Sequence, residues 1–158
     1  MATVDMFLKL DGIDGESQDD THKNEIDIKS FSLNLDNASV GGGMKESKVR
    51  MGDIRITLLA SKASPNLFIS CASGRRIATA MITVRKAGEK PIDYETIKLT
   101  DVRVSSFSKA GQHGGDLTLE NMTLSFSTIE YTYKQQNKDG TAAASITKSY
   151  DVKANRVT

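Results

Sequence analysis

In three segments of this chain, apolar residues alternate with polar ones as they would along a β-strand and then change parity midway. From Ile26 to Leu35 they sit at even positions (Ile26, Ile28) and then at odd ones (Phe31, Leu33, Leu35). From Tyr94 to Phe107 they run odd (Ile97, Leu99) and then even (Val102, Val104), and between Leu117 and Tyr133 the switch falls between Phe126 and Ile129. Strand side chains alternate with period two. A strand that changes its buried parity has therefore gained a residue or crossed from one side of a core to the other. Three such switches predict a mainly β fold. Bent strands with local bulges at the corners are expected, as in a small antiparallel β-barrel or an orthogonally packed sandwich.

Other segments fit that frame. Val4, Met6, Leu8 and Leu10 share one face of a half-buried strand that stops at Asp11-Gly12-Ile13-Asp14-Gly15. Met51 to Ala60, Ile77 to Lys86, and Ala144 to Val152 after the Asn137-Lys138-Asp139-Gly140 turn supply further strands. Ser64-Pro65-Asn66-Leu67-Phe68-Ile69-Ser70-Cys71-Ala72-Ser73-Gly74 reads as one short helix, with Ser64 as N-cap, Pro65 at the first helical position and Gly74 as the stop. Its apolar face is expected to carry Leu67, Phe68 and Cys71. The Asp36 to Lys48 stretch around Gly41-Gly42-Gly43 is expected to protrude as a loop. At 158 residues the chain is one domain, 1–158, with enough length to bury a core unaided.

Composition excludes most chemistry. Lys plus Arg total 21 against 20 Asp plus Glu, a net charge of +1 that does not suit a general nucleic-acid binder. Cys71 is the single cysteine, so no intrachain disulfide forms, and the thiol is expected to pack as a small hydrophobe. His22 sits among Glu16, Asp19, Asp20 and Glu25, but without zinc-type ligand spacing it is expected in a solvated charged loop. Asp11 to Glu16 resembles a calcium loop until Ile13 occupies an oxygen-donor position. The glycine triplet lacks the spacing of a phosphate cradle. No signal peptide or membrane-spanning run is visible, so the two Asn-X-Ser/Thr matches carry no weight. Arg75-Arg76 and Arg85-Lys86, with acids nearby, are expected to act as intersubunit charges. No catalytic residue, metal site or cofactor follows. A β domain with open edges points to self-assembly, with a ligand-binding barrel or an enzyme as competing classes.

The order of short motifs is more specific. Met6-Phe7-Leu8-Lys9-Leu10-Asp11-Gly12-Ile13-Asp14-Gly15-Glu16-Ser17, then His22-Lys23 and Glu25-Ile26-Asp27, resembles the opening of the haemolysin-coregulated protein (Hcp) family of bacterial type VI secretion. Ser64-Pro65-Asn66-Leu67 to Cys71-Ala72-Ser73-Gly74, Thr83 to Gly88, Ile97-Lys98-Leu99 with Val102 to Ser106, and Glu120-Asn121 with Thr123 to Phe126 are similar to later family segments. The resemblance implies a two-sheet barrel with one helix. It also implies homohexameric rings stacked into the inner tube, and partners among spike, sheath, baseplate and secreted effectors. The protein would assemble in the bacterial cytoplasm and leave through the apparatus, with no nucleic acid and no membrane insertion. A free-ring effector chaperone is the alternative. Gly41, Gly42, Gly43, Met44, Lys45 and Glu46 are then expected to contact a neighbouring subunit or ring. Alternation directs Ser30, Ser32 and Asn34 away from the core, where the resemblance makes them candidates for the channel wall. No fused toxin domain is expected, so any toxicity would come from bound cargo.

Overall fold

A computed structural model describes residues 4–38, 48–86, 91–115, 117–139 and 141–158. The expected contact loop, Gly41 to Glu46, lies outside them. In chain order the elements are β1 (Val4–Leu10), β2 (Ile26–Asp27), β3 (Ser30–Ser32), β4 (Leu35–Ala38), β5 (Lys48–Met51), β6 (Ile54–Leu59) and α1 (Ser64–Ser73). There follow β7 (Ile77–Lys86), β8 (Ile92–Ala110), β9 (Leu119–Ser125), β10 (Thr128–Gln136), β11 (Ala142–Asp151) and β12 (Arg156–Val157). All pairings are antiparallel. The longer sheet runs β12-β11-β10-β8-β7-β1-β2, the shorter one runs β3-β6-β9-β8, and β4-β5 forms a separate ribbon.

Each parity switch is a corner between the two sheets. The first half of β8 pairs with β7 and β10, and its second half pairs with β9. At the turn from one to the other Asp101 takes φ 56°, a left-handed conformation uncommon outside glycine, and the register with β9 slips between Val104 and Ser106. The Asp101 carboxylate ties the corner together. It accepts from Ser127 Oγ at 2.7 Å and from Arg76 Nε at 2.8 Å, with Lys153 Nζ at 3.1 Å. Its pKa is lowered by the Ser127 and Lys153 hydrogen bonds. Between β2 and β3, the Ile28 amide donates to Met6 O (3.1 Å) while the next amide, Lys29, donates to Thr57 O (2.8 Å), so adjacent residues bond into different sheets. The expected single bent strand from Ile26 to Leu35 is thus divided among β2, β3 and β4.

The expected barrel does not close. β2 and β3 end the two ladders and are joined by the chain itself rather than by strand pairing, which leaves two packed sheets. The core between them is fully buried at Leu8, Ile54, Ile56, Leu58, Ile82, Leu99, Met122 and Leu124. Covering each such side chain contributes roughly 1.5–3 kcal/mol.

Helix α1 packs on this core through Leu67. Two details differ from expectation. The N-cap is Ala63, and Ser64 lies inside the first turn, where its hydroxyl donates to the buried Glu120 Oε1 at 2.9 Å. Phe68 is 60% exposed and Cys71 is only half-buried, so the covered face is narrower than Leu67, Phe68 and Cys71 together. Gly74 ends the helix at φ 68°, as a left-handed cap requires.

Candidate functional site

The outer faces of the two sheets are finished differently. On the shorter sheet, the register lines up Ser32 with Arg55, Arg55 with Thr123, and Thr123 with Ser106. The next row runs from Ser30 to Thr57, Asn121 and Ser108. All point away from Ile54, Ile56, Leu58, Met122 and Leu124, which fill the core, and Ser30, Ser32 and Asn34 are exposed. Hydroxyls bond along the face: Thr57 donates to Asn121 Oδ1 (2.8 Å), and Thr123 Oγ1 lies 2.7 Å from Ser105 Oγ and 2.6 Å from Ser106 Oγ. This is a continuous polar surface on a rigid sheet.

Part of the outer face of the longer sheet, where β1 meets β7, is covered instead. Phe7 falls in the outward phase of β1, opposite Thr83, and the segment between β1 and β2 folds over it. His22 stacks on the Phe7 ring (centroids 4.5 Å apart, planes at 11°), with Nδ1 2.9 Å from Glu25 and Nε2 3.1 Å from Asp93. Arg85 lies over the same ring, 5.0 Å from its centroid, and grips Asp19 in a fork at 2.6 and 2.7 Å, with Asp5 at 3.4 Å. Gly15 is required there because a Cβ would meet Glu25 O at 2.5 Å. The Arg85 hydrogen bonds hold the Asp19 carboxyl well below the usual carboxylate range. Burial disfavours a charged His22, but its hydrogen bonds to the Asp93 and Glu25 carboxylates outweigh it and raise its pKa. The solvated loop expected around His22 is thus a packed lid. The signal for it was an aromatic residue in the polar phase of β1. The two carboxylates sit on opposite ring nitrogens and do not converge on one ion, and among the described residues no His, Cys, Asp or Glu group is arranged to hold a metal.

The lid also relocates one expected intersubunit charge. Arg85 is buried and pairs with Asp19 and Asp5 of its own chain through its terminal guanidinium nitrogens, while its buried Nε has no partner among the described residues. Arg76 binds Asp101 yet remains 62% exposed, Lys86 lies 5.5 Å over the Tyr94 ring, and Arg75 is exposed.

A third surface escaped the sequence reading. The β10–β11 hairpin carries its core-facing side beyond the core: Ile129 and Tyr150 pack inward, but along the same face Tyr131, Tyr133 and Ile146 are 39%, 44% and 64% exposed. Nearby, Leu33, Leu35, Met51 and Val157 border the same apolar groove. The hydrogen bond from Tyr131 to Glu95 pushes the phenol pKa up to about 12, so it stays a neutral donor. No described helix is long and apolar enough to cross a membrane.

Comparison with known proteins agrees along the whole chain. The family described as type VI secretion system effector, Hcp, matches residues 7–133. Protein hcp1 of Pseudomonas aeruginosa is 40% identical over 141 residues, covering 87% of each chain. The crystal structure of Hcp1 from Salmonella typhimurium superposes with a TM-score of 0.80 at 39% identity and full coverage of both chains. A structure described as a type six secretion system protein reaches a TM-score of 0.92 at 25% identity, covering 99% of this chain and 100% of the other. The bent two-sheet fold, the single helix and the ordered motifs therefore have one explanation: this chain belongs to the Hcp family of type VI secretion proteins.

Proposed function

We propose that the protein is a non-enzymatic structural subunit, a homohexameric ring that stacks into the hollow inner tube of a type VI apparatus and carries effectors in its lumen. The observation that carries this reading is the hairpin whose apolar side outruns its own core. Tyr131, Tyr133 and Ile146 remain in water in the single protomer, and a second copy seated against them would complete the burial. The polar face bearing Ser30, Ser32 and Asn34 then forms the lumen wall, where hydroxyls suit a wet and adaptable contact. Arg75, Arg76 and Lys86 lie at the periphery as charges for neighbouring subunits, and Gly41, Gly42, Gly43, Met44, Lys45 and Glu46 reach an adjacent subunit or ring. Spike, sheath and baseplate proteins meet the assembled tube. The protein assembles in the cytoplasm and is exported through the apparatus.

Light scattering after size-exclusion chromatography is expected to give about six times the protomer mass, as a closed ring requires. A mass of one or two protomers at micromolar concentration would overturn the ring. Deleting Gly41 to Glu46 is expected to leave cooperative unfolding intact and to weaken ring closure or stacking. Ser32→Gln is expected to preserve ring mass and expel co-purifying cargo, because a longer side chain repeated around a ring narrows the bore. Undiminished cargo in intact rings would reject the lumen assignment.

A further inference from the structure

We propose that the bare face of the shorter sheet selects protein cargo with an acidic surface, and that Arg55 and Arg103 are its anchoring cations; this rests on reading that face as the cargo-bearing wall. The charge inventory of the face is short. Strands β3, β6 and β9 together with the second half of β8 contain Arg55, Arg103, Lys109 and Glu120 as their charged residues. Lys109 and Glu120 neutralise each other, with Nζ and Oε2 2.7 Å apart and Glu120 fully buried. Two arginines remain. Both are exposed, and among the described residues neither forms an ion pair. The adjacent acid, Asp53, accepts a hydrogen bond from Ser105 at 2.7 Å. In a chain of net charge +1, this face thus carries, among the described residues, two cations outside any ion pair beside the Asp53 carboxylate.

The geometry suits carboxylates. Arg55 stands opposite Thr123 in the β6–β9 register and Arg103 opposite Ser125 in the β8–β9 register, two residues further along β9. Strand spacing and rise put the two positions about 12 Å apart. Two side-chain carboxylates on one folded surface can span that distance, each in a bidentate guanidinium fork. The hydroxyls of Ser32, beside Arg55, and of Thr123 and Ser106, on the strands towards Arg103, donate or accept as the partner demands. A nucleic acid is a poorer match, since a duplex presents a charge about every 1.7 Å and its binders neutralise many phosphates together.

The test uses the full chain with fluorescein-labelled hexaglutamate and hexalysine, read by fluorescence anisotropy, with native mass recorded on the same samples. Hexaglutamate is expected to bind and to weaken with added salt, and hexalysine to show no binding. Arg55→Gln or Arg103→Gln should each weaken hexaglutamate binding about fivefold, the increment of roughly 1 kcal/mol, and the double variant should weaken it about 25-fold. Both side chains are exposed, so thermal unfolding should hardly change, and if one variant misfolds the other still reports. Charge reversal to Glu at both positions should transfer the preference to hexalysine. Unchanged hexaglutamate binding in the folded double variant, or equal binding of the two peptides, would overturn the proposal. Tighter, Arg55-dependent binding of an oligothymidylate of equal charge would also overturn it, in favour of nucleic acid. Arg55-dependent peptide binding by a protein that forms no ring would sustain this inference and sink the tube reading. Intact rings with Arg55-independent binding would do the reverse.

Discussion

The outer faces of the two sheets are built on the same alternation and treated in opposite ways. On the longer sheet, Phe7, Thr83 and Arg85 point outward and are roofed by the lid, so that residues in the solvent phase of a strand are buried. On the shorter sheet, Ser32 and Arg55 occupy the same phase and are exposed, with no lid over them among the described residues. The roofed face adds a second small core with a charged network through it. The bare face is tied only by hydroxyl and amide hydrogen bonds along its own surface, and its exposed side chains, Ser32 and Arg55 among them, can meet a partner. Stability and interaction are thus divided between the two sheets, and substitutions can test that division.

The largest effect is expected at Arg85. Arg85→Ala leaves the Asp19 carboxylate of the lid without its fork and exposes the Phe7 ring, which should cost about 3 kcal/mol in urea unfolding. A loss below 0.5 kcal/mol, the ordinary surface range, would mean that the lid is no part of the cooperative unit. Gly15→Ala should act in the same direction, because the new methyl meets the Glu25 backbone and the lid must lift. Measured by hydrogen exchange, the amides of Ser17 and Asn24, bonded across the lid, should lose protection before those of the core strands.

His22 gives the lid a pH dependence of known sign. Its folded-state pKa is raised, so the clamp between Glu25 and Asp93 contributes fully below the unfolded value of about 6.5 and is lost as pH rises through the folded value. The stability difference between the wild type and His22→Gln should therefore shrink from pH 6 towards pH 9. A difference that stays constant over that range would mean that the ring acts through stacking on Phe7 alone. On the bare face, by contrast, Ser32→Gln at its exposed position should change stability by less than about 0.5 kcal/mol. A cost above 1 kcal/mol would show that this face is as structural as the other. Cys71→Ala lies near the same end of the scale, at about 1 kcal/mol or less, since the thiol is only half-buried.

Much of this was legible in the chain because parity is a local property. Ile97, Leu99, Val102 and Val104 announce a change of face at Asp101, and the structure puts the corner there. The helix from Ser64 to Gly74 was equally plain from Pro65 and its terminal glycine, although its true N-cap was not, because Ser64 is drawn inward by Glu120, 56 residues away. His22 was misread for a similar reason. Its flanking acids look like solvated charge, and the residues that bury it, Phe7 and Asp93, belong to distant strands. Tyr131, Tyr133 and Ile146 gave no warning either. Their pattern is that of any half-buried strand, and only the extent of the core beneath shows that it stops short of them.

The sequence by itself determined the class of fold, the places where strands change sheet, the short helix and, through the order of its motifs, the family. Each of these depends on residue spacing or on a run of identities, which survives without knowledge of contacts. Only the tertiary structure decided whether the ladder closes, which outward face is roofed, that Arg85 spends its charge inside its own chain, and where the hairpin leaves the core. A period of two assigns every side chain to one of two faces, but long-range pairing decides what, if anything, lies over each face.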